Sequence, residues 1–86
     1  MIELWLYLSF TTPEGAAVQI RGDQIVAIVG VPKRNRANEL WIEDGALTYT
    51  GSVLTLVHGA QVVVSQSPAE VQGQFTRAAK ILEARS

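Results

Sequence analysis

Apolar and polar residues alternate along the first ten positions, which is the pattern of a β-strand. One row is entirely apolar and contains Ile2, Leu4, Leu6, Leu8 and Phe10. The other row includes Trp5 and Tyr7, although a half-buried strand would turn this row toward water. Each aromatic side chain can bury about 150–250 Å², worth roughly 4–6 kcal/mol at 25 cal/mol per Å². The pattern therefore predicts a strand that is covered on both faces.

There are two alternatives for the surface that packs on the aromatic row. A curled sheet can bring its opposite face against a hairpin predicted at Asp44-Gly45, and this cover within the chain is favoured for Tyr7. A second protomer can cover the row instead, an alternative that stays open above all for Trp5. Because a domain is stabilised by only about 5–15 kcal/mol in total, leaving both rings in water would forfeit much of the available free energy.

Two further strands follow a turn. Thr12-Pro13-Glu14-Gly15 consists of typical turn residues, and residues 17–21 alternate as a strand does. Residues 22–24 interrupt the pattern before a β-branched run over 25–31, which is long enough for a third strand. We interpret this run as a central, buried strand.

Two hairpins are predicted in the second half of the chain. Asp44-Gly45 lies between the short apolar segments 40–43 and 46–49, and Asp-Gly in this position is typical of a two-residue hairpin turn. The alternative for this region is a short helix over 38–42. A second hairpin joins 53–57 to 60–65, with His58 and Gly59 as its turn residues. Its shared apolar face would contain Leu54, Leu56, Val62 and Val64.

The C-terminal helix, predicted over about 68–84, has a clear start signal. Ser67-Pro68-Ala69-Glu70 offers an N-cap serine, a proline at the first helical position and a glutamate at the third. Ile81 falls off the apolar stripe of this helix, and Gly73 weakens its interior by roughly 1 kcal/mol relative to alanine. The stripe, which should face the sheet, contains Val71, Phe75, Ala78 and Leu82.

These elements predict an α+β fold in a single domain of residues 1–86. Its strands, between about residues 2 and 65, would form a strongly bent antiparallel sheet or a small open barrel of five to six strands. One C-terminal helix would pack on this sheet. With 48% hydrophobic and 17% charged residues, the chain is too apolar to be disordered, and part of its apolar surface could face a partner.

Charge and cysteine content narrow the functional classes. Seven Lys and Arg against eight Asp and Glu give a net charge of -1, so no global field favours nucleic acid or a membrane. The absence of cysteine excludes disulfides and thiolate metal ligands. No apolar run approaches the roughly 18 residues of a membrane helix, and no basic residue precedes the apolar N-terminus as in an export signal. We therefore expect a cytoplasmic protein without membrane association.

No group of residues has the spacing of a catalytic or metal site. His58 is the single histidine and suits a hairpin turn, since histidine tolerates left-handed backbone. Glu43 and Asp44 are neighbours that point apart on a strand instead of converging. The serines lack the Gly-x-Ser-x-Gly context of a nucleophile. We expect no enzymatic activity, no cofactor and no metal.

One basic cluster, formed by Lys33, Arg34 and Arg36, lies near two aromatic residues, Trp41 and Tyr49. Cations beside aromatic faces can bind a nucleotide or a nucleic acid strand, because the charges meet phosphate while a ring stacks on a base. The five residues form a candidate ligand-binding site. The alternative is a solvated loop without a ligand.

Three stretches, 18–29, 53–65 and 67–71, follow one another in a familiar order. They resemble the small FlbD-like proteins of bacteria and related phage open reading frames. Those proteins have a strand pair, a hairpin with Asn-Gly at its tip, where this chain has His58-Gly59, and a Ser-x-x-Glu-Val helix start. The resemblance implies a role in motility without a catalytic constellation, so it transfers no site residues. The long first strand and segment 33–51 depart from the family pattern.

Two functional hypotheses follow. The leading one is a non-enzymatic, FlbD-like interaction or assembly module that self-associates through Trp5, Tyr7 and Ile81, with room for an unknown protein partner. The alternative is an oligomeric nucleotide- or nucleic-acid-binding protein that uses loop 33–36 and Trp41, for example a phage protein that sequesters a host signalling nucleotide. Both hypotheses predict a homo-oligomer.

Overall fold

The computed structural model describes residues 6–85, which form an α+β fold of seven strands in three antiparallel sheets and one C-terminal helix. The fold class is as predicted, with more strands than the predicted five to six and with sheets that do not close into a barrel. In chain order the elements are β1 (Tyr7–Thr11), β2 (Ala17–Arg21), β3 (Ile25–Pro32), β4 (Ile42–Glu43), β5 (Ala46–Leu47), β6 (Tyr49–Leu56), β7 (Gln61–Val64) and α1 (Pro68–Arg85). The sheets are β1-β2, β3-β6-β7 and β4-β5.

The core lies where the β1-β2 hairpin, the three-stranded sheet and α1 meet. Its buried apolar residues are Leu8, Phe10, Ile20, Leu54, Val64 and Val71. Leu8 and Phe10 belong to the apolar row of the first strand. Three of the four predicted stripe residues of the helix contact this core, with Val71 inside it and Phe75 and Ala78 against it. The apolar row of the first strand and the apolar stripe of the helix therefore both face the core, as their spacing predicts.

Polar side chains occupy the outer edge of β1. The amide of Gln74 in α1 binds Ser9 twice: its Oε1 accepts from the Ser9 N–H at 3.1 Å and its Nε2 donates to the Ser9 carbonyl at 2.6 Å. Gln66 Oε1 accepts from the Thr11 N–H at 3.0 Å, and the Ser65 N–H donates to the Thr11 carbonyl at 2.6 Å. These bonds fasten the hairpin to α1 and to the end of β7, and they satisfy backbone groups that would otherwise invite another strand.

The N-cap role of Ser67 is confirmed, whereas the Glu70 carboxylate bonds to the Ser67 hydroxyl and not to a backbone N–H. Ser67 Oγ accepts from the Glu70 N–H at 3.3 Å and donates to the Glu70 carboxylate at 3.2 Å. The helix begins at Pro68, whose missing N–H costs nothing in the first turn.

Gly73 has no steric role that the structure reveals, because a Cβ added there would meet nothing within 4 Å. We expect Gly73→Ala to raise the free energy of unfolding by about 0.5–1 kcal/mol, since alanine loses less backbone entropy in a helix. Urea unfolding of the two proteins measures the difference. A lowered stability would mean that glycine serves a close contact at this position.

The interpretation of β3 as a central strand is wrong. The sheet order β3-β6-β7 makes β6 central and leaves β3 at the edge. Val26 and Val29 are accordingly 61% and 59% exposed. A β-branched run indicates a strand but carries no information about strand order, so it fits an edge that a partner covers as well as a central strand.

The turn between β6 and β7 differs from the prediction. The Gly59 N–H donates to the Leu56 carbonyl at 2.9 Å and the Leu56 N–H donates to the Ala60 carbonyl at 2.8 Å, which encloses a three-residue loop. Gly59, at φ 92°, takes the left-handed position that we expected for His58. The predicted apolar face is retained, because Leu54 pairs with Val62 and Val64 points to the same side.

Candidate functional site

Residues 33–48 form an arm that projects from the body of the protein. The molecule measures 54 × 27 × 21 Å with a radius of gyration of 14.8 Å, against about 12 Å for a compact domain of this length. Strands β4 and β5 pair only with each other, and every residue from 34 to 47 is exposed. The arm therefore buries almost none of its side chains within the described part of the chain.

Two tight turns shape the arm. Asp44 and Gly45, at φ 51° and 79°, form the predicted two-residue turn between β4 and β5, so the alternative of a helix over 38–42 is wrong. The outer turn closes between Asn35 and Glu39, whose backbone bond measures 2.9 Å, with Asn38 at φ 62°. Asparagine tolerates this left-handed conformation better than most residues do.

One face of the arm is apolar. Ile42 pairs with Leu47, and Leu40 lies two residues before Ile42 on the same side of the extended chain. These side chains are 43% (Leu40), 60% (Ile42) and 42% (Leu47) exposed, and we call them the apolar face. Our sequence interpretation missed this face. The register that an Asp-Gly turn imposes, which places residue 42 opposite 47, is the signal that could have revealed it.

The opposite face of the arm brings together two residues of the predicted ligand site. Lys33 Nζ lies 4.6 Å from the centre of the Trp41 ring, a cation–π contact, and Trp41 Nε1 donates to Glu43 Oε1 at 2.8 Å. The ring thus has a lysine over it and a carboxylate beside it. That carboxylate would repel a phosphate group bound next to the ring.

The other predicted ligand residues do not converge on Trp41. Arg34 Nη1 donates to the Asn38 carbonyl at 2.9 Å within the outer turn, and Arg36 is exposed in that turn. The ring of Tyr49 lies against Gly30, where an added Cβ would come within 2.6 Å of Tyr49 Cε1. Binding of a nucleotide or nucleic acid at these residues stays a prediction.

Two of the three predicted interface residues lie within the described part of the chain, and both are exposed. Trp5 is outside the described residues. Tyr7 is 64% exposed, so the expected cover by the Asp44-Gly45 hairpin is wrong: that hairpin belongs to the arm, which projects away. Ile81 is exposed on α1. Cover of Tyr7 or Ile81 by a second protomer stays a prediction.

Tyr7 borders an open cleft of about 440 Å³ whose lining includes Arg21, Gln24 and His58. The Arg21 guanidinium donates two hydrogen bonds to the Asp23 carboxylate, at 2.6 and 2.7 Å, and these bonds lower the pKa of Asp23. No second acid or base is bonded to His58 in the part of the chain that the structure describes. Among residues 6–85, His58 therefore lacks the hydrogen-bonded partner that acid–base catalysis by a histidine uses.

A second surface lies along β3. Its outer edge receives no backbone hydrogen bond from any described residue. Beside this edge, β3 and α1 enclose an open groove of about 420 Å³, which we call the edge groove. It is lined by Ile25, Val26, Ala27, Ile28, Gln72 and Phe75. This surface combines unpaired backbone groups with apolar side chains, as sites of strand addition do.

Chemistry and comparisons add little to this picture. Within residues 6–85, no three His, Asp or Glu side chains lie close enough together to hold a metal ion. The helix that the structure describes lacks the length and hydropathy needed to cross a bilayer. Searches of protein-family models, curated proteins and solved structures find no match to this chain. The resemblance to FlbD-like proteins consequently stays a prediction.

Proposed function

We propose that this chain is a non-enzymatic assembly module that self-associates and uses the apolar face of the arm as a contact surface. The observation that carries the proposal is the exposure of Leu40, Ile42 and Leu47 on a projecting arm. Each such side chain gains about 1.5–3 kcal/mol when it is removed from water. A small domain with a core of few buried residues gains little from holding three of them in solvent, whereas an assembly recovers that free energy.

Self-association also suits the chain better than the alternatives. An oligomer would provide the cover that the sequence pattern predicts for Tyr7, which the described part of the chain leaves exposed. Ligand binding at the other face of the arm is less favoured, because Trp41 already has Lys33 over its ring and Glu43 on its nitrogen. Enzymatic chemistry is less favoured as well, because the structure brings no acid, base and nucleophile together within residues 6–85.

Sedimentation at two concentrations tests the proposal. We expect the wild-type protein to gain mass with concentration and Ile42→Lys to weaken association at least tenfold, because a charge would then enter an apolar contact. Val63→Lys is the matched control: Val63 is also exposed, but it lies on β7 at the far edge of the sheet from β3 and the arm, and its substitution should leave association unchanged. A wild-type protein that is monomeric at every concentration would contradict the proposal.

A further inference from the structure

The edge of β3 has few of the features that keep sheet edges from pairing. Natural edges carry charged residues, prolines or bulges. The eight residues of β3 include no charge, and the strand has only an irregularity between Ile25 and Ala27 and a proline at its last position. Between these points the edge is open and uncharged, and Ile28, Val29 and Val31 are β-branched, which favours the addition of another strand.

The amount of exposed surface indicates the size of the missing partner contact. The chain exposes 6119 Å², whereas a monomeric protein of 9.3 kDa exposes about 5,000 Å². The excess of about 1,100 Å² is comparable to the roughly 800 Å² that each partner buries in an interface of standard size. The surface is therefore sufficient for one stable contact with a second copy.

On the basis of the self-association proposed above, we infer that β3 pairs antiparallel with β3 of a second copy. Identical antiparallel neighbours in one sheet are related by a two-fold axis perpendicular to the sheet. The two copies would then form a continuous six-stranded sheet in the order β7-β6-β3-β3-β6-β7. Because hydrogen-bonded and non-hydrogen-bonded pairs alternate along such strands, one residue must face its own counterpart, and the axis must pass midway between those two residues.

The same arrangement gives the arm a place to bind. Side chains alternate along the extended chain, so Arg34 lies on the same side of the sheet as Ile28 and Gly30. Arg34 pairs with Leu40, and the apolar face of the arm therefore lies on that side too. A two-fold axis perpendicular to the sheet leaves this side of both copies facing the same direction. Since the strands run in opposite directions, the arm that follows Pro32 of one copy passes the Ile25 end of the other. The apolar face of each arm thus comes beside the edge groove of its partner.

Cysteine crosslinking tests this pairing, because the chain has no cysteine of its own. Ala27→Cys, Val29→Cys and Val31→Cys each place one thiol on β3, and a short bismaleimide reports which thiols lie near their own counterparts. Val63→Cys is the matched control: Val63 is also exposed, but it lies on β7 at the far edge of the sheet. In the six-stranded sheet the two copies of position 63 are separated by five strand spacings, or about 24 Å.

We expect at least one β3 variant to crosslink into a covalent dimer in high yield and the Val63→Cys control to remain uncrosslinked. A protein that sediments as an oligomer while no β3 variant crosslinks would overturn the β3 pairing and leave the proposed self-association intact. A strictly monomeric protein would overturn both.

Hydrogen exchange provides a second, variant-free measurement. On concentration from the monomer to the oligomer, outward-facing β3 amides should slow at least tenfold, while exposed amides of the turn between β6 and β7 should not change. Equally slow exchange of the β3 amides in the dilute monomer would show that the edge is covered within the chain, and this result would overturn the pairing.

Discussion

Leu54→Ala is expected to lower the free energy of unfolding by about 2–5 kcal/mol, a large part of the stability of a domain this small. Leu54 is fully buried on the central strand β6, between Ile28 on β3 and Val62 on β7. Truncation leaves a cavity that the neighbouring backbone cannot fill, because hydrogen bonds hold β6 on both sides. Urea unfolding measures the loss, and the melting temperature should fall by about 4–8 °C for each kcal/mol.

Leu47→Ala is the matched control for this prediction. It makes the same substitution on the arm, where Leu47 is 42% exposed, and should cost less than about 1 kcal/mol in the monomer. Both variants must be unfolded at a protein concentration below that of self-association, since Leu47 belongs to the proposed contact surface. Equal losses in the two variants would mean that the arm packs against the body in solution.

The sequence predicted best those features that depend on neighbouring residues. Ser67, Pro68 and Glu70 specify the helix start because capping bonds span only three residues, and the structure has these bonds. Asp44-Gly45 specifies its hairpin because few residue pairs tolerate the required positive φ values. At the other hairpin, the same reasoning assigned the left-handed position to His58. Gly59 takes it instead, since glycine accepts this conformation without the steric cost of a Cβ.

The features that depend on distant parts of the chain could not be obtained in this way. Strand order is decided by the joint packing of three sheets and a helix, so nothing in the run from Ile25 to Val31 distinguishes a central strand from an edge. The direction of the arm is likewise absent from its own pattern, which gives two turns and two short strands but no angle to the body. Expecting Tyr7 to be covered by the Asp44-Gly45 hairpin required that angle, and the expectation was wrong for this reason.

These errors have one physical origin, which is the large number of apolar residues in the chain. The chain has more β-branched and aromatic residues than one small core can bury, and the sequence pattern alone does not say which of them stay outside it. The structure buries six of the described apolar residues and leaves Val26, Val29 and the apolar face of the arm in solvent. Among the described residues, six of the eleven large apolar side chains that are exposed lie on this edge strand and the arm that continues it. This concentration is the reason to examine assembly before catalysis or ligand binding.

Gly51→Ala is expected to lower the free energy of unfolding by about 1–3 kcal/mol or more, the cost of overpacking a rigid site. A Cβ at Gly51 would overlap the Val64 carbonyl oxygen and lie 3.3 Å from Ser65 Cα. These are backbone atoms, which cannot rotate away as a side chain can. The Ser65 N–H is itself bonded to the Thr11 carbonyl, so displacing this segment would also loosen the attachment of β1.

Comparison with Gly73→Ala isolates the steric cause, because the same methyl group is added in both variants and only the space around it differs. The added Cβ has no neighbour within 4 Å at position 73 and meets the backbone of β7 at position 51. We therefore expect opposite signs in parallel urea titrations, a gain for Gly73→Ala and a loss for Gly51→Ala. A neutral or stabilised Gly51→Ala protein would show that β6 and β7 are further apart at this point than the structure has them. In that case the hydrogen bond from the Ser65 N–H to the Thr11 carbonyl would also differ from the one in the structure.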